Sequence, residues 1–453
     1  MRNQHTADQQ TAQVAAGQAA RLARQLAQFL APLLAELDAL LDRRLVRTFG
    51  DTLVAILRFR DRSRGLLLTE LGTQLLSPAH APAGTKRVSN LLRSPKWSGD
   101  LISRFLWRQA RAYLNETIRR EDDALVIWDE SVLEKPESIA PPELCPVRSS
   151  KAARLKRIKP GYYHPPQGGP VFVPGLHWLG VLVLGWQAPP RVAAMRWWTT
   201  RGEQASDRRT EEKALLRQCH QAWGRWVLHV WDRGFAGDPW LSEVLSRQLR
   251  FVVRWPKRYH LRDGQGRERP AWQIAQGQRR WGTIRLWDSH RHTWRQVGVL
   301  ALPVQHPHHP ETLWLVVSRP GHGRPPWYLL TNEPQLFAED AERVVRAYTR
   351  RWQIEWAWRY GKSELAMESP RLWFAANREK LLLMVTLLYD FLLTLLAPTL
   401  EPLRAWLLDA WCHRTGKRSQ QALAPLYRLR SALSALWLAY RPPPLLDLLQ
   451  TPG

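Results

Sequence analysis

Four residues in the carboxyl-terminal half of the chain have a spacing that places their side chains on one face of a helix. They are Tyr348, Arg351, Glu355 and Lys362. At about 100° per residue, their directions fall within roughly 60° of one another along roughly 21 Å of helix. Such a stripe could follow the phosphates of a DNA strand while presenting its one carboxylate to a metal ion. The alternative is an amphipathic helix in which Arg351 and Glu355 form an ordinary i,i+4 pair.

Two other acids each follow a short apolar run. Asp129 closes the run ALVIWD at 124–129, and Asp232 lies in WVLHVWDRGF at 226–235. Both runs predict buried strands that end in an acid. Neighbouring strands of one sheet place their carboxyl ends close together, so two such aspartates could share divalent cations, although either one alone could simply cap a turn. Glu355 offers the third acid that a metal-dependent nuclease core requires.

The segments around these acids predict strands and helices that would position them. Further strands are predicted at 172–186, 191–200 and 250–256, and helices at 206–223, 238–248 and 337–367. Between 257 and 330, short Trp- and Val-rich runs separated by turns predict an antiparallel sheet without helices. The basic, Pro-rich stretch at 134–170 predicts a long loop, whose RLKRIK run could contact phosphates.

Both ends of the chain predict helix. The apolar spacing over 13–58 is helical, with Pro32 as a kink, and 85–97 and 101–114 are basic amphipathic helices that either face DNA or expose an ordinary solvated face. The apolar run at 381–397 contains Asp390 and is shorter than the roughly 20 residues of a membrane span. It therefore predicts a buried core helix.

The overall composition indicates a folded protein with a polyanionic partner. The chain has 453 residues, 45% of them hydrophobic, and 25 are Trp, which excludes a disordered basic tail. With 66 Lys and Arg against 40 Asp and Glu, the formal charge is +26. That excess favours nucleic acid first and an anionic membrane surface second. The polar start, MRNQHTADQQ, predicts no export signal.

The cysteines predict neither disulfides nor a thiolate zinc site. Cys145, Cys219 and Cys412 lie far apart and form no C-x-x-C pair. A reducing, cytoplasmic location fits this pattern.

These motifs resemble those of bacterial cut-and-paste DDE transposases of the insertion sequence four type. The hallmark of that family, Y-x2-R-x3-E-x6-K, is matched at every spacing by the four residues of the helical stripe. The family's second Asp lies in a D-x-G-F setting, seen here at 232–235, and the first lies in WDES, with Ser131 two residues after Asp129. The nearby acids Asp123, Glu130 and Glu364 do not fit the motif spacing.

The resemblance, which covers roughly 120–370, implies an α/β fold. The expected core is a ribonuclease-H-like mixed sheet, interrupted by an antiparallel β insertion and flanked by N- and C-terminal helical regions. The expected divisions are a helical, DNA-binding region at 1–120, core segments at 121–256 and 333–370, the insertion at 257–332, and a C-terminal helical region at 371–453. The 123 residues from Asp232 to Glu355 leave room for that insertion.

The resemblance also implies the chemistry. Asp129, Asp232 and Glu355 are expected to bind two Mg²⁺ ions, with Mn²⁺ as a substitute, because carboxylates suit such ions. Two metal ions can activate water or a DNA 3′-hydroxyl and stabilise the leaving oxygen, so one site could cut at terminal inverted repeats and join the 3′ ends to target DNA. Tyr348, Arg351 and Lys362 are assigned to transposon-end phosphates. The expected state is a dimer on DNA, nucleoid-associated and not at a membrane.

Two further residue groups invite a functional interpretation. Relatives pass through a hairpin end, and a tryptophan of the insertion could stack on a flipped base. The candidates are Trp281, Trp287 and Trp294, each with the favoured alternative of sheet core. A zinc site is rejected for five histidines in Pro- and Arg-rich turns, because they lack a matching ligand pair and are expected to be solvated. These are His290, His292, His306, His308 and His309.

Two other functions compete with transposition. One is a retired transposase that only binds DNA, and the other is a nuclease with the same core that never rejoins strands. The presence of all three acids disfavours the first of these.

Overall fold

A computed structural model describes most of the chain. The described residues are 2–135, 143–149, 170–186, 188–288, 293–321, 324–412 and 426–450. The RLKRIK run at 154–159 and the histidines at 290 and 292 lie outside them. Within the predicted loop at 134–170, the structure contains one short strand, Cys145–Arg148.

The helices and strands of the described residues follow the predicted order closely. The helices are α1 (Arg2–Asp38), α2 (Arg43–Arg58), α3 (Leu68–Leu75), α4 (Ala81–Arg93), α5 (Asp100–Arg119), α6 (Arg208–Trp223), α7 (Asp238–Ser246), α8 (Ala271–Ala275), α9 (Ala338–Arg350), α10 (Trp352–Ser363), α11 (Ala375–Thr394), α12 (Glu401–Trp411), α13 (Leu426–Ala439) and α14 (Leu445–Gln450). The strands are β1 (Leu125–Glu134), β2 (Cys145–Arg148), β3 (Phe172–Leu184), β4 (Arg191–Trp198), β5 (Leu228–Trp231), β6 (Arg250–Arg254), β7 (His260–Arg262), β8 (Glu268–Pro270), β9 (Gly282–Asp288), β10 (Thr293–Val304), β11 (Leu313–Arg319) and β12 (Trp327–Thr331).

A ten-stranded mixed sheet forms the centre of the described part of the molecule. Its order is β2-β3-β1-β5-β6-β12-β11-β10-β9, and β4 also pairs with β3. β1, β5 and β6 are mutually parallel, whereas β3 is antiparallel to β1. Parallel neighbours need crossover connections, and α6 and α7 supply them on one face. The predicted α/β architecture, a mixed sheet with flanking helices, is confirmed.

The β insertion continues this sheet. β12 pairs antiparallel with β6, and β11, β10 and β9 follow outward. The prediction of a helix-free insertion is wrong at one place, because the chain forms the short helix α8 after β8. The small hairpin of β7 and β8 forms a separate two-stranded sheet.

Each face of the sheet has its own hydrophobic core, as expected for strands covered on both sides. Alternate residues of β1 enter opposite cores: Leu125 and Ile127 pack with α9, α10 and α11, whereas Val126 and Trp128 pack with α6 and α7. The N-terminal helices join the first of these cores. The sheet is therefore held rigidly between two helical layers.

The helix α11 confirms the predicted buried core helix. Its residues from Lys380 to Leu393 are all buried, and Asp390 is paired with Arg191, whose Nη2 lies 2.6 Å from Oδ2. Among the described residues no single helix has the length and apolarity of a membrane span. Only α11 taken together with Pro398–Trp411, bent by 80°, meets that test.

Two elements that carry acids differ from the prediction. The strand β1 does not end at Asp129 but continues to Glu134, because antiparallel pairing with β3 extends from Leu125 to Glu134. The single predicted helix at 337–367 is two consecutive helices. The amide of Arg351 donates to the carbonyl of Tyr348, and that of Ile354 to the carbonyl of Arg351, so the hydrogen bonding tightens there to i→i−3.

Candidate active site

Asp129 and Asp232 are brought together by parallel strands. Ile127 of β1 pairs with Val230 of β5, and each aspartate stands two residues farther along its own chain. Parallel neighbours lie about 4.8 Å apart, so the two carboxylates occupy the same edge. Asp232 follows the end of β5, and its Oδ1 accepts a 2.6 Å hydrogen bond from the Gly234 amide, which fixes the turn.

Glu355 reaches the same place through Arg351. The Arg351 guanidinium contacts Glu355 Oε1 with Nη2 and lies 3.6 Å from Asp129 Oδ2 with Nη1. One buried cation thus joins the acid of α10 to the acid of β1. The structure therefore brings the three acids predicted from the sequence into one site, with a guanidinium between two of them.

The surroundings of Asp129 disfavour the ionised form of its carboxyl group. Burial raises its pKa to about 6, Arg351 opposes that rise, and the charge of Asp232 adds to it. Two neighbouring carboxylates at a buried edge form an oxygen donor set whose repulsion a divalent cation would relieve. Asp129, Asp232 and Glu355 therefore fit Mg²⁺ as ligands.

Trp358 is a site residue that the sequence interpretation missed. Its Nε1 donates a 3.0 Å hydrogen bond to Asp129 Oδ2, and its ring packs edge-on against Trp178 of β3, with centroids 4.4 Å apart. The sequence could have indicated Trp358, because it lies three residues after Glu355 and a helix places two such side chains on one side.

The remaining residues of the predicted stripe differ in exposure. Lys362 is partly exposed, and its Nζ donates to Ser131 Oγ at 2.8 Å, two residues beyond Asp129. Tyr348 is only 1% exposed and packs edge-on against Trp327, and Arg351 is also buried. Burial raises the pKa of the Tyr348 phenol, and Arg351 opposes the rise. Of the residues predicted to contact phosphates, Lys362 is therefore partly exposed, whereas Tyr348 and Arg351 are buried.

The three acids that did not fit the motif have arginine partners elsewhere. Asp123 contacts Arg343, Glu130 lies 2.7 Å from Arg208, and Glu364 binds the N-terminal Arg60 and Arg62. Arg60 Nη2 lies 2.7 Å from Glu364 Oε2, and Arg62 Nη2 lies 2.9 Å from Glu364 Oε1.

Arg208 links the two aspartate segments. Its Nε lies 2.7 Å from Glu130 and 2.8 Å from the fully buried Glu212, and its Nη2 donates to the Gly234 carbonyl at 3.0 Å. Burial raises the pKa of Glu130 well above its ordinary value, with Arg208 opposing and Glu212 adding to the rise. This network, which the sequence interpretation missed, ties β1 and α6 to the turn after Asp232.

A basic, aromatic cavity of about 620 Å³ begins beside that turn. Its lining residues are Arg233, Arg254, Trp255, Lys257, Arg258, Trp272, Pro325, Pro326 and Tyr328. Cations beside aromatic rings are the combination that binds phosphates and stacks on bases. The cavity therefore has the side chains to bind a nucleic-acid strand next to the turn after Asp232.

Residues 197–391 match the family model of the transposase DDE domain. The match includes Asp232 and Glu355, and Asp129 precedes it. Among solved structures, a piggyBac transposase synaptic complex with hairpin DNA is similar with a TM-score of 0.43 and 12% sequence identity, over 91% of this chain and 74% of that chain. No curated protein sequence matches the chain.

The three insertion tryptophans within the matched domain are not sheet core. Trp281, Trp287 and Trp294 are 41%, 39% and 54% exposed, so the favoured alternative is wrong for them. Trp287 and Trp294 face each other across β9 and β10, with ring centroids 5.6 Å apart, and Arg285 lies over the Trp294 ring. Trp287 lies in β9, the outer strand of the sheet, Trp281 directly precedes that strand, and Trp294 lies in its neighbour β10.

The histidines of the turn after β10 are less isolated than predicted. His306 is buried, not solvated, and packs edge-on against Trp255. Asp238, the first residue of α7, lies beside His306, His308 and His309. Sequence spacing could not indicate this carboxylate, because it comes from an element more than sixty residues earlier.

Proposed function

We propose that this chain is a DNA transposase of the insertion sequence four type. It cuts at the terminal inverted repeats of its element and joins the freed 3′ ends to target DNA. The observation that carries the proposal is the assembly of Asp129, Asp232 and Glu355 at one edge of the sheet, with Arg351 between Asp129 and Glu355. The match of residues 197–391 to the transposase DDE domain supports it.

The acids would act as the ligands of divalent metal. Bound Mg²⁺ would supply an activated oxygen nucleophile and charge stabilisation at the leaving oxygen of the phosphodiester. Asp129 and Asp232 are fixed in advance, because β1 and β5 hold their backbones and the Trp358 indole and the Gly234 amide hold their carboxylates. Such rigid placement is what catalysis by positioning requires.

The cations around the acids would hold the DNA. Lys362, oriented by Ser131, and Arg233, which directly follows Asp232, are close enough along the chain to neutralise phosphates next to the scissile bond. Arg351 would hold Asp129 and Glu355 in place. The cavity beyond Arg233 would take the strand that leaves the site, with the formal charge of +26 attracting the duplex as a whole. We further propose that the protein acts as a dimer on DNA, in the cytoplasm.

The test uses the purified full chain, Mg²⁺ and a duplex carrying the inverted repeats that flank the gene. The wild type should nick at the repeat ends, whereas Asp232→Asn and Glu355→Gln should lower the rate at least about 100-fold, because each loses a metal ligand. Glu339→Gln, an exposed carboxyl in the first turn of α9, is the matched control and should cleave normally. Equal cleavage by the acid variants would refute the site.

The same reaction distinguishes the competing functions. Pre-cut ends with free 3′-hydroxyls should join to a supercoiled target plasmid if the protein is a transposase. Cleavage without any joined product would show a nuclease instead. Salt-sensitive binding to the repeats without metal-dependent cleavage would show a protein that only binds DNA.

A further inference from the structure

Three potential metal ligands converge away from the acid site. His306 and His308 stand in the turn between β10 and β11, and Asp238 begins α7. Their ligand atoms all lie within 4.8 Å of one another. His306 is buried, His308 is exposed and Asp238 is intermediate, so the group lies at the protein surface with one side anchored in the core.

The spacing of these atoms is that of ligands around an ion. Nδ1 of His306 lies 3.7 Å from Asp238 Oδ1, and Nδ1 of His308 lies 3.6 Å from Asp238 Oδ2. Both distances are too long for a direct hydrogen bond. Two ligands that each lie about 2.1 Å from a tetrahedral zinc ion stand about 3.4 Å apart. The lone pair of His306 Nδ1 now accepts only a 3.3 Å hydrogen bond from the His308 amide, which an ion would replace.

A third histidine lies beside the Asp238 carboxylate. Nε2 of His309 lies 2.9 Å from Asp238 Oδ1 and 3.3 Å from the Ser242 hydroxyl of α7. His309 therefore lies between the Asp238 carboxylate and the Ser242 hydroxyl.

We propose that Asp238, His306 and His308 form a zinc site distinct from the acid site. Two imidazole nitrogens and one carboxylate oxygen suit Zn²⁺, whereas Mg²⁺ prefers oxygen ligands alone. The remaining coordination position faces a cavity of about 460 Å³ that is also lined by Tyr259, His260 and Glu268, so water completes the shell. The ion would join α7 to the β insertion.

The proposed zinc site lies between the segment that follows Asp232 and the β insertion. Asp238 lies six residues after Asp232, whereas the histidines belong to the insertion that extends the sheet. A bound ion would therefore fasten the segment that carries the second acid to the insertion. Because Zn²⁺ would bind the folded chain and not the unfolded one, it should raise thermal stability with concentration.

The experiment measures zinc binding directly, without DNA. Metal-stripped full chain is titrated with ZnCl₂ by calorimetry, and with CoCl₂ while the visible absorbance of tetrahedral Co²⁺ is recorded. The wild type should bind one equivalent that His308→Ala and His306→Ala lose. His260→Ala, which changes the same cavity outside the ligand set, should keep it. Asp232→Asn should also keep it, which separates this site from the proposed active site.

Stability provides the second readout. Zn²⁺ should raise the melting temperature of the wild type and of His260→Ala by several degrees but leave His308→Ala unchanged. Because His308 is exposed, its variant should fold, and the far-ultraviolet circular dichroism checks this. Absence of zinc binding by the wild type, or equal binding by His308→Ala, would overturn the proposal, whatever the outcome of the DNA cleavage assay.

Discussion

The indole Nε1 of Trp358 donates a hydrogen bond of 3.0 Å to Oδ2 of Asp129. This bond connects α10, which carries Glu355, to the central strand β1. It stabilises the ionised form of a carboxyl whose pKa burial raises to about 6. The acid site therefore depends on a tryptophan that belongs to neither the acids nor the cations of the sequence motif.

Trp358→Phe should shift the acidic limb of the pH profile of DNA cleavage upward by about one pH unit. The variant retains the ring packing but loses a hydrogen bond to a charged group, which is typically worth about 1.5 kcal/mol or more. The measurement is cleavage efficiency between pH 5 and 9. Trp178→Phe is the control, because Trp178 packs on Trp358 without a bond to Asp129. An unshifted limb in Trp358→Phe would contradict this role.

Asp129→Asn should stabilise the metal-free protein above pH 6. The folded-state pKa of Asp129 is raised from 3.8 to about 6. Between these two pH values the folded state therefore binds more protons than the unfolded state. The stabilisation that the folded state gains from binding this proton is complete below pH 4 and is lost as the pH rises through 6. The variant should gain about 3 kcal/mol at pH 7.5 and almost nothing at pH 4, measured by denaturant unfolding.

Magnesium should reverse this difference in stability between Asp129→Asn and the wild type. Mg²⁺ should raise the melting temperature of the wild type at pH 7.5 and leave that of Asp129→Asn nearly unchanged, because the variant lacks an anionic ligand. The control Glu339→Gln should respond like the wild type. A wild type that Mg²⁺ does not stabilise would count against metal binding by the acids.

Arg208→Ala should destabilise the fold by about 3 kcal/mol. Without the guanidinium that contacts both of them, Glu130 and the buried Glu212 would repel each other. The loss should be larger at pH 8 than at pH 5, since protonation of Glu130 relieves the repulsion. Urea unfolding measures it. Adding Glu130→Gln should recover much of the stability, whereas Arg217→Ala, an exposed arginine of the same helix, should change little. A pH-independent loss would contradict the network.

Lys257→Ala combined with Arg258→Ala should weaken binding to DNA roughly tenfold at physiological salt. Both side chains are exposed and line the basic cavity beside Arg233. If each neutralises one phosphate, the slope of log affinity against log salt should fall in magnitude by about 2. Arg225→Ala, an exposed cation that does not line the cavity, is the control. An unchanged slope would place the DNA elsewhere.

The alternation of apolar runs and helical periods was enough to predict most of the strands and helices, because buried strands and amphipathic helices differ in their period. Their arrangement in one mixed sheet was implied only by the family resemblance. The runs before Asp129 and Asp232 predicted their strands, and parallel pairing of those strands then places the acids at one edge. Continuation of β1 past Asp129 could not be predicted. It depends on pairing with β3, a strand about fifty residues away.

The sequence by itself determined which residues are the candidates for the chemistry, since the types and spacings of the acids and cations are local properties. Only the tertiary structure decided which of them meet. Arg351 lies between Asp129 and Glu355, Arg208 joins Glu130 to the turn after Asp232, and Asp238 faces histidines of the insertion. Each of these contacts joins segments far apart along the chain, and burial, pairing register and charge act across space, which spacing in a sequence does not record.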